Sequence, residues 1–476
     1  VTIQHRGSWF VFTCLATVAA FGSSAHGEDA APADKVSFFR DIRPILQDRC
    51  QGCHQPAKPQ GGFVLTSYAD LREGGESEAA AIVPGKPHES ELYKQISASE
   101  GEKPSMPKDA EPLPKHQVEL IARWITEGAV DDTPASTKAE IDMEHPPQYT
   151  AAPAITSLDF SPDGKLLAVS GYHEVLLHRI DNEPGDRTQV VARLVGLSER
   201  IESAVFSPDG KKLAVTGGSP GRFGEVQVWN VAKKKLLLSV PVTYDTIYGA
   251  SWSSDGAKIA FACADNTVRA IDANTGKQIL YQGAHADWAL DTVFSKDNSH
   301  LVSVSRDRTM KLTEVATERF VDNITSITPG ALKGGLMTVD RHPTKDELLC
   351  GGADGTPKIY QMYRTKDRKI GDDFNLMRAF DPLPGRIFDA CFNADGSRIL
   401  VGSSLSGQGE VRIYETAEGK QLVRVGELGP IYAVAYREDG KTFAVGGFDG
   451  MVRVFEAETG KLLKAFVPVP LPPAVA

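Results

Sequence analysis

Ile155-Thr156-Ser157-Leu158-Asp159-Phe160 is followed by Ser161-Pro162-Asp163-Gly164 and then, after Lys165, by Leu166-Leu167-Ala168-Val169-Ser170. Apolar residues at alternate positions suit a strand with one buried face, and the Pro/Asp/Gly cluster supplies a tight turn, so the stretch predicts strand, turn, strand. A lone hairpin is marginal in water. This one recurs. Copies begin near Ile201, Ile247, Leu290, Leu336, Ile387 and Ile431, with turns at Asp209-Gly210, Asp255-Gly256, Asp297-Asn298, Lys345-Asp346, Asp395-Gly396 and Asp439-Gly440. Successive turns fall roughly 42 to 50 residues apart, the length of a four-stranded propeller blade.

Most units add a third strand, as in Val226-Gln227-Val228-Trp229, Val268-Arg269-Ala270-Ile271, Val411-Arg412-Ile413-Tyr414 and Val452-Arg453-Val454-Phe455. The turns Gly276-Lys277, Gly419-Lys420 and Gly460-Lys461 introduce a fourth. Units of this kind bury their faces against neighbours, and closing the series into a ring removes exposed sheet ends. The expectation is an all-β, seven-bladed propeller over residues 153–468, with 469–476 as a C-terminal tail. An open sandwich of sheets is the competing architecture. For closure, the last strand is either Leu462 to Val467 or one borrowed from residues 147–154. The series resembles WD40 repeats, with Trp229 in the usual aromatic position and Tyr414 or Phe455 as substitutes. It lacks their regular Gly-His dipeptides, and its fifth unit carries a long insertion from Arg364 to Asn375. The resemblance implies a binding platform, which fold alone does not prove.

Upstream lies a different chemistry. Cys50-Gln51-Gly52-Cys53-His54 places two thiols and an imidazole in one compact turn. Thiols at this spacing can form thioethers to the two vinyl groups of a haem, and the following histidine can reach its iron, so one covalent haem c is the expected cofactor. Thiol redox chemistry needs a βαβ setting that the flanking sequence lacks, and a zinc site needs a second cysteine pair. The remaining cysteines are Cys14, near the N-terminus, and Cys263, Cys350 and Cys391, which read as small buried hydrophobes rather than a disulfide framework.

Phe38 through Leu46 carries apolar residues at helical intervals before the motif, tempered by Pro44. A second helix is predicted from Pro114 through Glu127, with Val118, Leu120, Ile121, Trp124 and Ile125 as its apolar face and Gly128 after its end. Phe38, Phe39 and Trp124 fit core packing between the two, with contact to a haem as the alternative. For a second iron ligand, Met106, in Lys103-Pro104-Ser105-Met106-Pro107, competes with His88 and His116. A thioether gives a higher reduction potential than a second imidazole. Residues 34–132 resemble a class I cytochrome c domain, and more closely that of exported planctomycete proteins. The matching features are Phe38 through Leu46, the Cys50 to His54 motif, Gly61-Gly62-Phe63, Ile82-Val83-Pro84-Gly85, Met106-Pro107 and the closing helix with Trp124. The resemblance implies a small all-α domain whose haem is held by Cys50 and Cys53, with His54 and Met106 as the two axial ligands.

Residues 1–27 have the order of a secretion signal: His5 and Arg6, an apolar run from Trp9 to Phe21, then small residues to Gly27, with cleavage after Ala25 or Gly27. This predicts export to the periplasm or beyond, with no integral membrane segment once the signal is removed. Residues 133–152, rich in Pro, Thr, Ala and charge, read as a linker, with His145-Pro146-Pro147 inclined to pack. A formal charge of -10 disfavours nucleic acid and suits a basic protein partner. The expected function is one-electron transfer through the haem, with the propeller docking a protein redox partner. Two alternatives stand beside it: a haem-based redox or gas sensor, and a haem-coupled oxidoreductase with a site on the propeller. Candidates for the latter are His173, His285, Asp287, Arg306, Asp307, Arg308, Asp340, Arg341 and His342. For these nine, hydrogen-bonded turns and strand-bridging ion pairs are the plainer roles.

Overall fold

A computed structural model of the chain describes residues 35–472, apart from 52, 56, 57, 78, 99–102, 109, 134–140, 181–187, 284, 327, 329–332, 370 and 372. The expected signal at 1–27 and the Gly52 of the cysteine motif lie outside the described residues. No helix among those described is long and apolar enough to cross a membrane.

The N-terminal region is small and helical. Ser37 caps its start by accepting a hydrogen bond from the Arg40 amide, a π-helical turn spans Phe38–Ile42, and helix α1 continues as Arg43–Arg49. Pro44 therefore falls in the first turn of α1, where a missing N–H costs little. Three more α-helices follow among the described residues: α2 (Tyr68–Glu73), α3 (Glu91–Ile96) and α4 (Lys115–Thr126), the last flanked by Pro114 and Glu127 as the pattern predicts. Ile42, Leu46, Leu71, Ile121, Trp124 and Ile125 form the core. Phe38 stacks on Trp124 with ring centroids 5.4 Å apart, and the indole N–H donates to the carbonyl of Val130 at 3.1 Å, so both aromatics are core residues. The region is not wholly helical: His54–Gln55 pairs with Lys58–Pro59 in a two-residue ladder.

Beyond residue 157 the regular structure of the described residues is all strand. Five antiparallel four-stranded sheets begin with Ile247–Trp252, Ala289–Phe294, Leu336–Arg341, Arg386–Phe392 and Ile431–Tyr436, each adding its strands in chain order. A seven-stranded sheet precedes them. Its central strand, Gln189–Phe206, pairs through its first half with Tyr172–Arg179 and through its second half with Lys212–Ser219, so two of the predicted units share one continuous strand. Consecutive units pack through shared apolar clusters, such as Leu349 and Ile359 with Ile387 and Ile399. The last unit meets the first in the same way: Ile155, Leu158 and Phe160 share a cluster with Ala433, Ala444 and Val454. The Ile155 amide also donates to the carbonyl of Gly447 at 2.8 Å. Leu462–Phe466 is the outermost strand of the last sheet, and residues 147–154 join no sheet.

The described end of the expected linker is fixed to the first unit. Tyr149 is buried with Leu176 and Val469, and its hydroxyl donates to Glu174 at 2.7 Å. Arg193 grips both oxygens of Glu174 at 2.7 Å and also donates to the carbonyl of Pro147. Val469, assigned to the tail by sequence, is buried in one cluster with Tyr149 and Leu176. Cys263 and Cys350 are buried and Cys391 is half-buried; all three are free thiols packed among apolar neighbours.

Candidate functional site

Helix α1 runs directly into the cysteine motif. The amides of Cys50 and Gln51 donate to the Leu46 carbonyl at 3.0 and 2.9 Å, and those of Cys53 and His54 both donate to the Cys50 carbonyl at 3.1 Å. Cys50, Cys53 and His54 therefore share one turn. Cys50 is half-buried against the helical core and Cys53 is exposed, and neither is in a disulfide. Burial pushes the Cys50 thiol up to about 11, with Arg49 pulling down and Asp48 adding to the rise. Such a thiol is a poor redox nucleophile at neutral pH but can be consumed by a covalent bond.

The His54 ring is fixed by hydrogen bonding. Its Nδ1 lies 3.2 Å from the Phe63 carbonyl oxygen, which can only accept, so Nδ1 carries the proton and Nε2 presents its lone pair. The Phe63 ring meets the imidazole edge on, with centroids 5.7 Å apart. The Leu65 amide donates to the His54 carbonyl at 2.9 Å. Gln51, buried between the cysteines, donates from Nε2 to the Leu65 carbonyl at 2.6 Å.

Met106 lies on the loop before α4, its amide donating to the Gln95 carbonyl at 2.9 Å and its side chain half-buried against the same core as Cys50 and Phe63. His88 and His116 are exposed, the former against the edge of Tyr93 and the latter in the first turn of α4. Cys50 and Met106 pack on this core, and Cys53 and His54 share the turn of Cys50. The two thiols fit covalent attachment of a haem through its vinyl groups, and an imidazole and a thioether are donors that an iron can take.

The nine candidates on the sheet region form no common constellation. His285 and Asp307 make a buried pair at 3.0 Å, and Ser303 Oγ sits 2.8 Å from the other ring nitrogen of His285. Burial opposes ionisation of Asp307, but hydrogen bonds from His285, Thr309 and the Ala286 amide outweigh it and hold the carboxyl well below the usual carboxylate range. The network closes the turn at Asp307 and ties His285 to the strand His300–Ser305. Asp287 and Arg306 form a half-exposed pair, with Arg306 4.2 Å above the ring of Trp288. His173 sits at φ 60° inside the strand Tyr172–Arg179, where its pairing shifts register, and Arg308 occupies a turn at φ 72°. Arg341 donates to the Phe294 carbonyl at 3.0 Å, and His342 is buried edge on against Phe392.

Asp340 differs, because it lines a cavity of about 790 Å³ together with Asp159, Asp291 and Asp389. Each of the four accepts an amide N–H from the first strand of the following unit: Asp159 from Phe206 at 2.7 Å, Asp291 from Val339 at 2.9 Å, Asp340 from Phe392 at 2.8 Å and Asp389 from Val434 at 2.9 Å. Burial raises their pKa values, to about 7 for Asp159, 8 for Asp291 and 6 for Asp340 and Asp389. Their evident work is to bind unit to unit. Sequence reading missed three of the four, although aspartate inside a predicted strand is uncommon enough to have drawn notice. It also missed that Gly217-Gly218-Ser219-Pro220-Gly221 carries nucleophile-elbow spacing. That segment joins strand to strand rather than strand to helix, and Ser219 donates to Glu199 at 3.1 Å, so the setting is wrong for a nucleophile.

Residues 50–110 match the family model of the planctomycete cytochrome C, and residues 145–175, 276–313 and 420–456 match that of the WD domain, G-beta repeat. Among curated proteins, eukaryotic translation initiation factor 3 subunit I of Candida glabrata is 23% identical over 222 residues, covering 46% of this chain and 51% of that protein. Serine-threonine kinase receptor-associated protein of Gallus gallus is 21% identical over 253 residues, covering 47% of this chain and 71% of that protein. Periodic tryptophan protein 2 of Arabidopsis thaliana is 24% identical over 243 residues, covering 51% of this chain and 25% of that protein. The chain spans 51% of the first of these relatives.

Proposed function

Starting from a chain that joins a c-type cytochrome domain, with its haem-binding pair Cys50 and Cys53, to a WD-repeat region, we propose that it is an exported one-electron carrier. In this reading His54 and Met106 would hold the iron, and the repeat region is the platform on which a protein redox partner docks. The observation that carries it is the bond from His54 to Phe63, which commits Nδ1 and leaves Nε2 free in the same turn as both thiols. Met106 is preferred over His88 and His116 because it packs on the core that holds Cys50, whereas both histidines are exposed. When bound, the haem would supply one-electron transfer, and an iron held by both His54 and Met106 would offer a substrate no position.

The repeat region is proposed to be a seven-unit ring, two units lying in the seven-stranded sheet and one in each of the others, closed by packing rather than by a shared strand. The cluster joining Ile155 to Ala444 and Val454 supports this. Docking is assigned to one face. Pairings such as Ile247 with Cys263 set the start of each first strand beside the end of the second, so connections entering and leaving those ends share a side. Exposed apolar residues collect on these connections: Tyr172, Leu197, Tyr244, Trp288, Leu405 and Phe448. The connections of the opposite side are mostly short polar turns such as Asp-Gly and Gly-Lys, with Tyr363 on the longer one as an exposed aromatic.

The test is a reduced-minus-oxidised spectrum of protein matured in a periplasm, with carbon monoxide added, for wild type and Met106→Ala. A low-spin haem that ignores carbon monoxide in wild type and binds it in the variant is expected. Ready binding by wild type would overturn Met106 ligation and move gas sensing or catalysis ahead of electron transfer.

A further inference from the structure

Gln51 stands between the two cysteines at a position where the attachment chemistry asks nothing of the side chain, yet it is only 2% exposed. Its Nε2 donates to the Leu65 carbonyl at 2.6 Å, and its Oε1 is buried with no hydrogen-bond partner among the described residues. Burying an unsatisfied amide oxygen is unfavourable, and an apolar side chain of the same length would avoid it. The retained amide therefore has to be explained by what its donor does.

That donor holds the segment which orients His54. Phe63-Val64-Leu65 has no regular secondary structure, but touches His54 twice: the Phe63 carbonyl accepts from Nδ1 at 3.2 Å, and the Leu65 amide donates to the His54 carbonyl at 2.9 Å. Gln51 binds the far side of the same Leu65 residue. The three bonds make a short circuit running from the motif turn out to the segment and back to the imidazole. Slack at Leu65 would pass to Phe63, and from there to the tilt and rotation of the ring.

We propose that Gln51 is a positioning residue for the axial histidine, setting the orientation of the His54 ring through Leu65 and Phe63. The proposal rests on the reading of His54 as an iron ligand. Outer hydrogen-bond partners tune a metal through the ligand they orient, so the consequence falls on the iron's electronic state rather than on attachment, which belongs to the cysteines.

The experiment compares full-length, periplasmically matured wild type with Gln51→Met, which keeps side-chain length while removing both the donor and the orphaned oxygen. Gln51→Asn, which keeps the amide but falls short of Leu65, is the second variant should the first mature poorly. Readouts are covalent haem content, melting midpoint, reduction potential and the hyperfine-shifted proton spectrum of the haem methyls, which responds to the plane of an axial imidazole. Expected are wild-type haem content and a near-wild-type midpoint, with a changed methyl-shift pattern and a potential displaced beyond replicate error in either variant. A wild type with an axial imidazole whose methyl shifts and potential are reproduced by both variants would overturn the role of Gln51. A wild type without covalent haem, or without axial imidazole signals, would instead overturn the underlying reading of His54.

Discussion

The carbonyl of Phe63 accepts a hydrogen bond from Nδ1 of His54 at 3.2 Å, so a residue nine positions downstream decides which imidazole nitrogen is available. A backbone carbonyl cannot be mutated away, but the segment bearing it can be displaced. Gly75 is the lever, because a Cβ there would stand 2.5 Å from the Gly61 carbonyl oxygen and 2.9 Å from Phe63 Cβ. The neighbouring Glu76 amide also donates to Gly61 at 2.8 Å, which fixes the close approach.

Gly75→Ala is accordingly predicted to destabilise the haem domain by about 1–3 kcal/mol, the usual cost of forcing a methyl into a filled space. Thermal unfolding followed by haem absorbance should show a lower midpoint at unchanged covalent haem content. An unchanged midpoint would mean that the 61–63 segment slides aside freely, and the fixed geometry of His54 would lose its basis.

A second prediction concerns Glu174, whose side chain is 0% exposed and is held by Arg193 at 2.7 Å. Removing one partner of a buried pair strands the other charge, so Arg193→Leu should cost about 3 kcal/mol in denaturant unfolding. Adding Glu174→Gln should recover part of that loss, because the stranded charge goes with it. Tyr149→Phe, which deletes one hydrogen bond to the same carboxylate, should cost about 1 kcal/mol. If Arg193→Leu were nearly neutral, the end of the linker would be anchored by Tyr149 packing alone.

The repeats were legible because a strand, an Asp-Gly turn and a second strand leave a period in the sequence, and the described sheets start where that period places them. The continuity of Gln189–Phe206 was not, since nothing local distinguishes a strand that serves two units from two strands joined by a turn. Pro44 argued against a helix by its type, whereas its actual place in the first turn of α1 removes the objection. At the haem site, cysteine spacing and the following histidine announce themselves through chemistry. The Phe63 carbonyl and the Gln51 side chain do not, because one is a main-chain atom and the other a position the motif leaves open. His285 and Asp307 are of residue types suited to catalysis, for which the sequence offered a hydrogen-bonded turn as the plainer role, and they are bonded to each other beside such a turn.

For that pair, Asp307→Asn should lower stability by about 1–3 kcal/mol at pH 7 while leaving the haem spectrum unchanged. The carboxyl is held below its ordinary value by His285, Thr309 and the Ala286 amide against the opposing effect of burial. A depressed folded pKa contributes stability that is complete above the unfolded value, roughly pH 4, and is lost as the pH falls through the folded one. Unfolding midpoints should therefore converge between wild type and variant in acid. A haem potential that moved with Asp307→Asn would instead tie this turn to the redox site.

The cavity carboxylates should behave in the reverse sense. Asp291 is raised to about 8, chiefly by burial, with amide bonds from Val339 and Thr292 working against the rise and Asp389 and Asp340 adding to it. Glu202 and Arg200 also face the cavity. In the unfolded chain such a carboxyl ionises near pH 4, so between there and about pH 8 the folded state binds more protons and stability declines as pH rises. Asn at this position can still accept the Val339 amide but cannot ionise. Asp291→Asn should therefore resemble wild type at pH 4 and exceed it by at least about 1 kcal/mol at pH 8.5, measured as denaturant midpoints at both values. Wild-type and variant midpoints that run parallel across this range would mean that the carboxyl titrates as it does in water, and that the charge of Asp291 is relieved by solvent or a counter-ion rather than by a proton.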